Sequence, residues 1–318
     1  MLAAAAAAVA RAEEPVPQAE ALVWLQRVAN AARQLNYAGT FVYQHGEFSE
    51  TSKLVHMTDG HGEWEKLATQ DGRRCEVVRV NDELSTYLPD LKQIRIESRS
   101  ARRAFPALPP EQLSAITEYY TVVRIADDRV AGYDTQVFKL EPRDGLRYGH
   151  KFWAESASGL LVKAQMTNDR HQMMEQFMFT VLAINTPLNR ELVKPSIPPG
   201  ALDWNIIRFR SDDSSDADVG WMVKAPPAGF RKVMAMRRSR EGDPAGALVH
   251  IVLSDGLAAV SVFIEPVGTR GKATEGPSQQ GVINIFTRTL GDQRITALGE
   301  TPATTVQLIA NSTVQKLK

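Results

Sequence analysis

The residues best suited to bind a charged ligand form a basic cluster. The stretch from Lys92 to Arg103 holds five basic residues and one acidic residue in twelve positions. Guanidinium groups bind phosphates and carboxylates through charge-assisted hydrogen bonds. Because side chains alternate along a strand, Arg95 and Arg99 are predicted to share a face opposite Ile94 and Ile96. A solvated strand edge that resists aggregation is the alternative. The candidate residues for binding an anion or a partner are Arg95, Arg99, Arg102 and Arg103.

Three histidines are close enough in sequence to be considered as metal ligands. His45, His56 and His61 lie near one another, with Asp59 between the last two. Imidazole and carboxylate groups bind zinc when the fold brings them together. His45 and His61, however, stand at predicted turns, where histidine is an ordinary residue. We therefore expect no metal site and no cofactor.

The sequence has none of the short motifs that mark the common enzyme classes. A nucleophile elbow, a metalloprotease His-Glu-x-x-His, a P-loop and a dinucleotide-binding glycine motif are all missing. The paired carboxylates Asp127-Asp128 and Asp212-Asp213 lie in predicted turn or linker segments, where solvation explains them. Cys75, the only cysteine, lies in a strand-like run that favours a packed, unreactive thiol. We therefore expect a binding protein without enzymatic activity and without a nucleic-acid partner.

A helix and a series of short strands lead up to the basic cluster. Ala19–Leu35 has apolar residues spaced three and four apart, which places them on one helical face. From Gly39 to Glu97 the period changes to two, and short turn sequences separate the runs. Strands connected this closely are antiparallel neighbours in a meander. The six predicted strands are Thr40–Gln44, Ser52–Thr58, Glu63–Ala68, Cys75–Val80, Leu84–Leu88 and Gln93–Glu97.

Five more strands follow a short helix predicted at Glu111–Glu118, where Pro110 suits the first helical turn. About eleven strands and two helices then form one curved antiparallel sheet with helices on its concave face. Such a sheet closes into a barrel or leaves an apolar cleft. The five strands are predicted at Tyr120–Ile125, Tyr133–Leu140, His150–Ala154, Leu160–Met166 and Met174–Ile184.

An acidic linker is predicted to join two domains. Ser211–Asp218 holds four acidic residues and cannot bury enough apolar surface to offset its ordering entropy. We place the first domain at 13–205, a flexible linker at 206–218 and a smaller α+β partner-binding domain at 219–318. The predicted elements of the second domain are Arg231–Ser239, Ala247–Ser254, Ala258–Glu265, Gly281–Thr289 and Arg294–Gly299 as strands and Thr301–Ala310 as a helix.

Charge is divided unequally between the two predicted domains. Residues 219–318 carry 12 basic and 7 acidic residues, whereas residues 1–218 carry 25 basic and 30 acidic residues. Opposite net charges suit docking between the domains, or a basic second domain that meets an anionic partner. A chance difference is the alternative.

Residues 1–12 are predicted to be a signal peptide. Met1–Ala10 is apolar and rich in alanine, and Ala10-Arg11-Ala12 has the small residues that precede cleavage, here before Glu13. The usual basic region is missing, so we expect the true translation start to lie upstream; a frayed alanine helix is the alternative. No later stretch reaches the roughly 18–20 apolar residues of a membrane span. We therefore expect an exported, soluble protein.

Several stretches, in order along nearly the whole chain from Ala21, together resemble one family of regulators. In the first domain they are Tyr37-Ala-Gly-Thr-Phe-Val-Tyr43, Ser85-Thr-Tyr-Leu-Pro-Asp90, Tyr120-Thr-Val-Val-Arg124 with Arg129-Val-Ala-Gly132, Arg147-Tyr-Gly-His-Lys-Phe-Trp153 with Ser158-Gly-Leu-Leu161, and Glu175-Gln-Phe-Met-Phe-Thr180. In the second domain they are Phe230, Leu253-Ser-Asp-Gly-Leu-Ala-Ala-Val-Ser-Val-Phe-Ile-Glu265 and Gly299-Glu-Thr-Pro302. The chain is thereby similar to the MucB/RseB family of periplasmic regulators of sigma-E-type factors.

The resemblance implies a fold and a function that the periodicity does not give. The first domain would be a lipoprotein-carrier-like, unclosed β-barrel with a hydrophobic cleft. The protein would act in the periplasm as a negative regulator of an envelope stress response. It would bind the periplasmic region of a membrane-spanning anti-sigma factor and protect it from proteolysis, and lipid or lipopolysaccharide would release it. The family also implies a homo-oligomer. A periplasmic carrier of lipids or lipoproteins, using the same cleft, is the alternative function.

Overall fold

The computed structural model describes residues 13–98, 108–197, 204–209, 218–240, 243–268 and 275–316. The predicted signal peptide, residues 1–12, lies outside them. The first domain consists of a fourteen-stranded sheet and the helices α1 (Gln18–Gln34) and α2 (Leu113–Tyr119). Short 3₁₀ helices span Pro89–Leu91, Pro110–Gln112 and Arg190–Val193.

Every strand predicted in the first domain is present, with bounds that differ from the prediction by a few residues at most. The strands of this domain are β1 (Glu14–Pro15), β2 (Tyr37–His45), β3 (Phe48–Asp59), β4 (Gly62–Thr69), β5 (Glu76–Val80), β6 (Glu83–Leu88), β7 (Gln93–Ser98), β8 (Tyr120–Arg124), β9 (Asp128–Val130), β10 (Tyr133–Pro142), β11 (Gly149–Glu155), β12 (Leu161–Thr167), β13 (Met173–Ile184) and β14 (Asn205–Phe209). The short strands β1, β9 and β14 were not predicted.

The sheet is curved and unclosed, as predicted. Its strand order is β1-β8-β10-β11-β12-β13-β2-β3-β4-β5-β6-β7-β14, with β9 added on β10. The predicted meander is present, with each of β2 to β7 antiparallel to the next. One pair departs from the antiparallel expectation, because β14 runs parallel to β7. Within the described residues, the end strands β1 and β14 do not pair with each other.

Helix α1 packs on the sheet through the apolar face that its sequence predicts. Leu25, Val28 and Ala29 are fully buried, and the ring centroid of Trp24 lies 4.0 Å from that of Phe138. Helix α2 adds Leu113 and Ile116 to the same core cluster. We call the face of the sheet that carries α1 and α2 the inner face.

A segment after β13 crosses the opposite, outer face of the meander. Arg190 Nη2 donates to Asp59 Oδ2 at 2.8 Å, and Lys66 Nζ donates to the Lys194 carbonyl oxygen at 2.9 Å. The Ser196 amide donates to Glu76 Oε2 at 2.8 Å. This crossing is what allows β14 to run parallel to β7, since parallel neighbours need a long connection.

The predicted flexible linker starts too early. We expected it to begin at residue 206, but Asn205–Phe209 form β14 and hydrogen-bond to β7. The apolar residues Ile206, Ile207 and Phe209 explain the difference, because they favour a strand although the segment precedes the acidic run. Residues 210–217 lie outside the described residues.

The second domain is the predicted α+β unit. A six-stranded sheet has the order β16-β17-β18-β21-β20-β19, and β15 pairs with β22. Helix α3 (Ala303–Ser312) buries Val306, Ile309 and Ala310 against this sheet. The strands are β15 (Trp221–Val223), β16 (Arg231–Arg240), β17 (Asp243–Ser254), β18 (Ala259–Pro266), β19 (Gly276–Gln280), β20 (Ile283–Leu290), β21 (Gln293–Gly299) and β22 (Thr313–Gln315).

Candidate functional site

Of the four candidate arginines in the basic cluster, the structure describes Arg95 alone. Arg95 is exposed on β7, and its Nε donates to Gln93 Oε1 at 2.7 Å. Ile94 points to the opposite face and is 4% exposed, in a small core with Val78 and Tyr87, so the predicted alternation is present. Arg99, Arg102 and Arg103 lie outside the described residues.

Arg95 stands near one end of a mainly apolar row on the inner face. Cross-strand partners share a face of a sheet, and the row can be followed strand by strand through such pairs. Leu54 in this row packs in one core cluster with Ala31 and Ala32 of α1, which assigns the row to the inner face. Its members in order are Leu182, Gly39, Leu54, Leu67, Val77, Thr86, Arg95 and Ile207. A mainly apolar strip with an exposed cation near one end has the charge pattern of a site for an anionic amphiphile.

The three histidines considered as metal ligands serve separate structural roles. His56 is buried, with Nδ1 2.8 Å from the Leu35 carbonyl oxygen and its ring stacked on Tyr37. The His61 amide donates to Asp59 Oδ1 within a turn. Among the described residues, no three His, Cys, Asp or Glu side chains are grouped as a metal site would require.

Cys75 is half-buried at the start of β5. Its amide donates to Thr69 Oγ1 at 3.0 Å. Burial is the main cause that raises the pKa of its thiol, and the charge of Glu50 adds to it. The thiol is therefore mostly protonated and a poor nucleophile at neutral pH.

The contact between the two domains is built around Arg147. Its Nη1 donates to Asp255 Oδ2 of the second domain at 3.0 Å, and neither side chain is exposed. Its Nη2 donates to the Ala228 carbonyl oxygen at 2.6 Å and to Asp144 Oδ2 at 3.0 Å. The guanidinium carbon also lies 5.3 Å from the ring centroid of Phe230. One side chain of the first domain therefore holds two segments of the second.

Asp255 is held from both domains. Its Oδ1 accepts hydrogen bonds from the amides of Leu257 and Ala258, at 3.0 and 2.8 Å, which fix the turn between β17 and β18. Its Oδ2 accepts from the Tyr120 hydroxyl at 3.0 Å in addition to Arg147. Burial, with the charge of Asp255, raises the pKa of Tyr120 well above its usual range. The Tyr120 hydroxyl therefore remains a donor at any physiological pH.

Two further hydrogen bonds join the domains beside this ion pair. Asn284 Nδ2 donates to the Tyr148 hydroxyl at 3.2 Å and to the Thr301 carbonyl oxygen at 2.9 Å. Thr305 Oγ1 of α3 donates to the Leu146 carbonyl oxygen at 2.6 Å. We call the whole set of contacts around Arg147, Tyr148 and Asp255 the domain junction.

Sequence reasoning did not identify the domain junction as a site. Arg147 and Asp255 are separated by 108 positions in the sequence, and the residues beside each contain no motif that predicts the ion pair. A signal was nevertheless present: Arg147 opens the stretch Arg147–Trp153, and Asp255 lies within Leu253–Glu265. Both stretches carry the family resemblance, as do Phe230 and Gly299–Pro302.

Two family models match the chain over almost its whole length. The MucB/RseB N-terminal domain matches residues 20–197, and the MucB/RseB C-terminal domain matches residues 215–314. The chain belongs to the MucB/RseB family. Three of the stretches that resemble the family meet at the domain junction: Tyr120–Arg124 and Arg147–Trp153 of the first domain both contact Leu253–Glu265 of the second, through Asp255.

Relatives in the MucB/RseB family are similar to the chain from end to end. The sigma factor AlgU regulatory protein MucB of Pseudomonas aeruginosa is 31% identical over 303 residues, covering 92% of this chain and 90% of that protein. The sigma-E factor regulatory protein RseB of Haemophilus influenzae is 24% identical over 297 residues, covering 92% and 90%. The structure of the P. aeruginosa MucA/MucB complex aligns with 94% of this chain and 100% of that chain, at 27% identity and a TM-score of 0.72.

None of the helices in the described part of the chain has both the length and the apolar character to cross a bilayer.

Proposed function

We propose that this protein is a negative regulator of a sigma-E-type envelope stress response. It acts in the periplasm by binding the periplasmic region of a membrane-spanning anti-sigma factor and protecting it from proteolysis, without catalysing a reaction. The observation that carries the proposal is the likeness, across both domains, to MucB in its complex with MucA. The MucB relative that is 31% identical bears the name of a sigma factor regulatory protein, which supports the same conclusion.

Lipid or lipopolysaccharide is proposed as the ligand that releases the anti-sigma factor. The apolar row on the inner face supports this step, because its partly exposed members Leu67 and Val77 offer apolar surface to an acyl chain and the exposed Arg95 offers a guanidinium to a phosphate. Lipid that binds more tightly to one arrangement of the two domains increases the population of that arrangement. No chemical reaction is needed for this step.

The test is the affinity for the periplasmic segment of the anti-sigma factor from the same genome, with and without lipopolysaccharide. We expect tight binding that lipopolysaccharide reverses, and slower cleavage of the bound segment by the site-1 protease. No binding at micromolar concentration would contradict the proposal. Size-exclusion chromatography with light scattering on the same samples tests the proposed homo-oligomer.

A periplasmic lipid or lipoprotein carrier is the second candidate, and the mainly apolar row that contains Arg95 is the observation that favours it. Lipid co-purified at one molecule per chain and transferred to an acceptor, without binding to the anti-sigma segment, would establish the carrier instead.

A further inference from the structure

A cavity opens on the second domain between the six-stranded sheet and the two-stranded ribbon of β15 and β22. Its volume is about 310 Å³. Its inner end is lined by Val219, Val249 and Ile264, which are buried in the core of this domain. Its ribbon side is lined by Trp221 and Gln315, which are direct cross-strand partners. We call this space the ribbon cavity.

Arg237 of β16 supplies the positive charge of the ribbon cavity. It pairs with Val249 across the sheet, and its Nη2 donates to the Val219 carbonyl oxygen at 2.9 Å, which fixes the guanidinium beside the cavity. Its Nε and Nη1 have no partner in the described parts of the chain, so N–H donors remain for a ligand. Arginine binds a carboxylate well, because its planar set of donors matches the two carboxylate oxygens.

Asp292 supplies the negative charge. It lies in the turn between β20 and β21, and its carbonyl oxygen accepts a hydrogen bond from the Val267 amide at 2.8 Å, which fixes the turn. Its side chain is exposed and forms no ion pair or hydrogen bond within the described ranges. The next residue, Gln293, also lines the cavity and pairs with Pro266 across the sheet. The Asp292 carboxylate is therefore available to an ammonium group.

Arg237 and Asp292 line the same cavity without pairing with each other. No ion pair joins them in the part of the chain that the structure describes. Lys316 and Asp218, the charged residues beside the ribbon, form their own ion pair at 3.0 Å and neutralise each other. The ribbon cavity therefore offers one cation and one anion at separate positions. This arrangement complements a ligand that carries both a carboxylate and an ammonium group.

The size and lining of the ribbon cavity restrict the ligand further. Its volume of about 310 Å³ is at the lower end of the range of small-molecule sites, roughly 300–1,000 Å³. A single amino acid suits this scale, whereas a long acyl chain does not. Trp221 and Pro266 are half-buried and offer apolar surface, and the amides of Gln293 and Gln315 can donate and accept hydrogen bonds. The apolar surface favours an aliphatic side chain on the ligand.

We propose that the ribbon cavity is a binding site for a free α-amino acid with an aliphatic side chain. Arg237 receives the carboxylate, Asp292 receives the ammonium group, and the side chain lies against Trp221 and Pro266. The site lies within the second domain, apart from the apolar row of the first domain, and does not depend on the proposed regulatory function.

Calorimetry and saturation-transfer difference NMR with L-leucine test the proposal on the unaltered protein. We expect saturable binding with a dissociation constant on the order of 1 mM or below. Leucinamide, which lacks the carboxylate, and N-acetyl-leucine, which lacks the ammonium group, should each bind about tenfold more weakly or worse. The absence of saturable leucine binding would overturn the proposal. Equal binding of either analogue would also overturn it, because one of the two charged residues would then have no role.

Two variants with matched controls assign the binding to the ribbon cavity. Arg237→Gln and Asp292→Asn should each weaken leucine binding about tenfold or more. Arg231→Gln, at an exposed position of the same strand, and Glu275→Gln, an exposed acid of the same domain, remove the same charges outside the cavity and should leave the affinity unchanged. Circular dichroism verifies that each variant is folded, and the comparison of leucine with its analogues requires no variant. Equal weakening by a variant and its control would assign the effect to net charge and overturn the site.

Discussion

Arg147 Nη1 of the first domain and Asp255 Oδ2 of the second lie 3.0 Å apart, and both side chains are completely shielded from solvent. An ion pair in such a place is satisfied only while both partners are present. Arg147 has further acceptors in Asp144 and in the Ala228 carbonyl oxygen, so its charge is well compensated in the docked state. The domains are therefore held in register by a buried ion pair whose guanidinium also keeps a carboxylate, Asp144, within its own domain.

Asp255→Ala is expected to destabilise the docked protein by up to about 3–5 kcal/mol, because it removes the fully buried counter-charge of Arg147 and leaves Nη1 without its acceptor, while the pair with Asp144 remains. Urea denaturation followed by circular dichroism measures the change. Asp59→Ala, which breaks the exposed ion pair to Arg190, should cost less than about 1 kcal/mol. Equal losses of stability in the two variants would show that the buried ion pair stabilises the protein no more than the exposed one does.

Gly229→Ala should cost more stability than Gly132→Ala, although both glycines have a φ of +86°. Backbone strain alone is about 1–2 kcal/mol and acts in both variants. A Cβ at Gly229 would also lie 2.6 Å from Cδ2 of Tyr119, whereas a Cβ at Gly132 meets nothing within 4 Å. We expect about 1–3 kcal/mol of additional loss for Gly229→Ala in thermal or urea unfolding. A loss of stability no greater than that of Gly132→Ala would mean that the domain junction accommodates the added methyl group without further destabilisation.

Leu25→Ala should destabilise the first domain by about 2–5 kcal/mol, because it opens a cavity where α1 packs on the inner face. Leu25 is 0% exposed, whereas Val23 of the same helix is 65% exposed. Val23→Ala therefore serves as the control and should change the free energy of unfolding by less than about 0.5 kcal/mol. Comparable effects at the two positions would contradict the observed orientation of the helix.

The pH dependence of stability should contain two opposing contributions. The pKa of His150 is lowered to about 4 by burial, so the unfolded chain binds more protons and stability falls as the pH drops from 6.5 toward 4. Glu175, with its pKa raised to about 7 mainly by burial, acts in the opposite direction, and its contribution falls as the pH rises from 4.5. Urea midpoints of Glu175→Gln from pH 4 to 8 should reveal the histidine contribution alone, and those of His150→Phe the glutamate contribution. Parallel pH profiles for both variants and the unaltered protein would contradict these assignments.

Arg95→Ala should weaken binding to vesicles that contain an anionic phospholipid, and the triple change of Arg99, Arg102 and Arg103 to Ala should weaken it further. The loss arises from charge-assisted contacts to phosphate and should shrink as the salt concentration rises. Vesicle co-sedimentation at low salt provides the measurement, with Arg129→Ala, an exposed residue away from the apolar row, as the control. Unchanged binding at low salt would remove the basic cluster from consideration.

Local patterns were sufficient to predict most of the fold. The change from a period of three to four in Ala19–Leu35 to a period of two after Gly39 located α1 and the meander, because burial on one face imposes those periods. Strands such as β1 and β9 were missed because two or three residues carry no periodic signal. The strand β14 was missed because its pairing depends on a crossing segment whose contacts are distant in sequence.

The candidate site was much less accessible from the sequence. Alternation correctly placed Arg95 opposite Ile94, but no local rule connects Arg147 with Asp255 or Tyr148 with Asn284. Such pairs follow from how one folded domain meets another, and no periodicity within a single strand describes that meeting. The resemblance to the MucB/RseB family identified these stretches but did not indicate that they are in contact.

The attachment of β14 to β7 also determines how mechanical force passes between the domains. Tension from the second domain enters the first at Phe209 and is carried by a five-residue ladder on Gln93–Glu97 at the edge of the sheet. Pulling away from the sheet breaks such a ladder one bond at a time, whereas pulling along the strand loads all its bonds together. The direction in which the second domain moves therefore decides whether β14 separates from β7 one hydrogen bond at a time or holds until all the bonds break together.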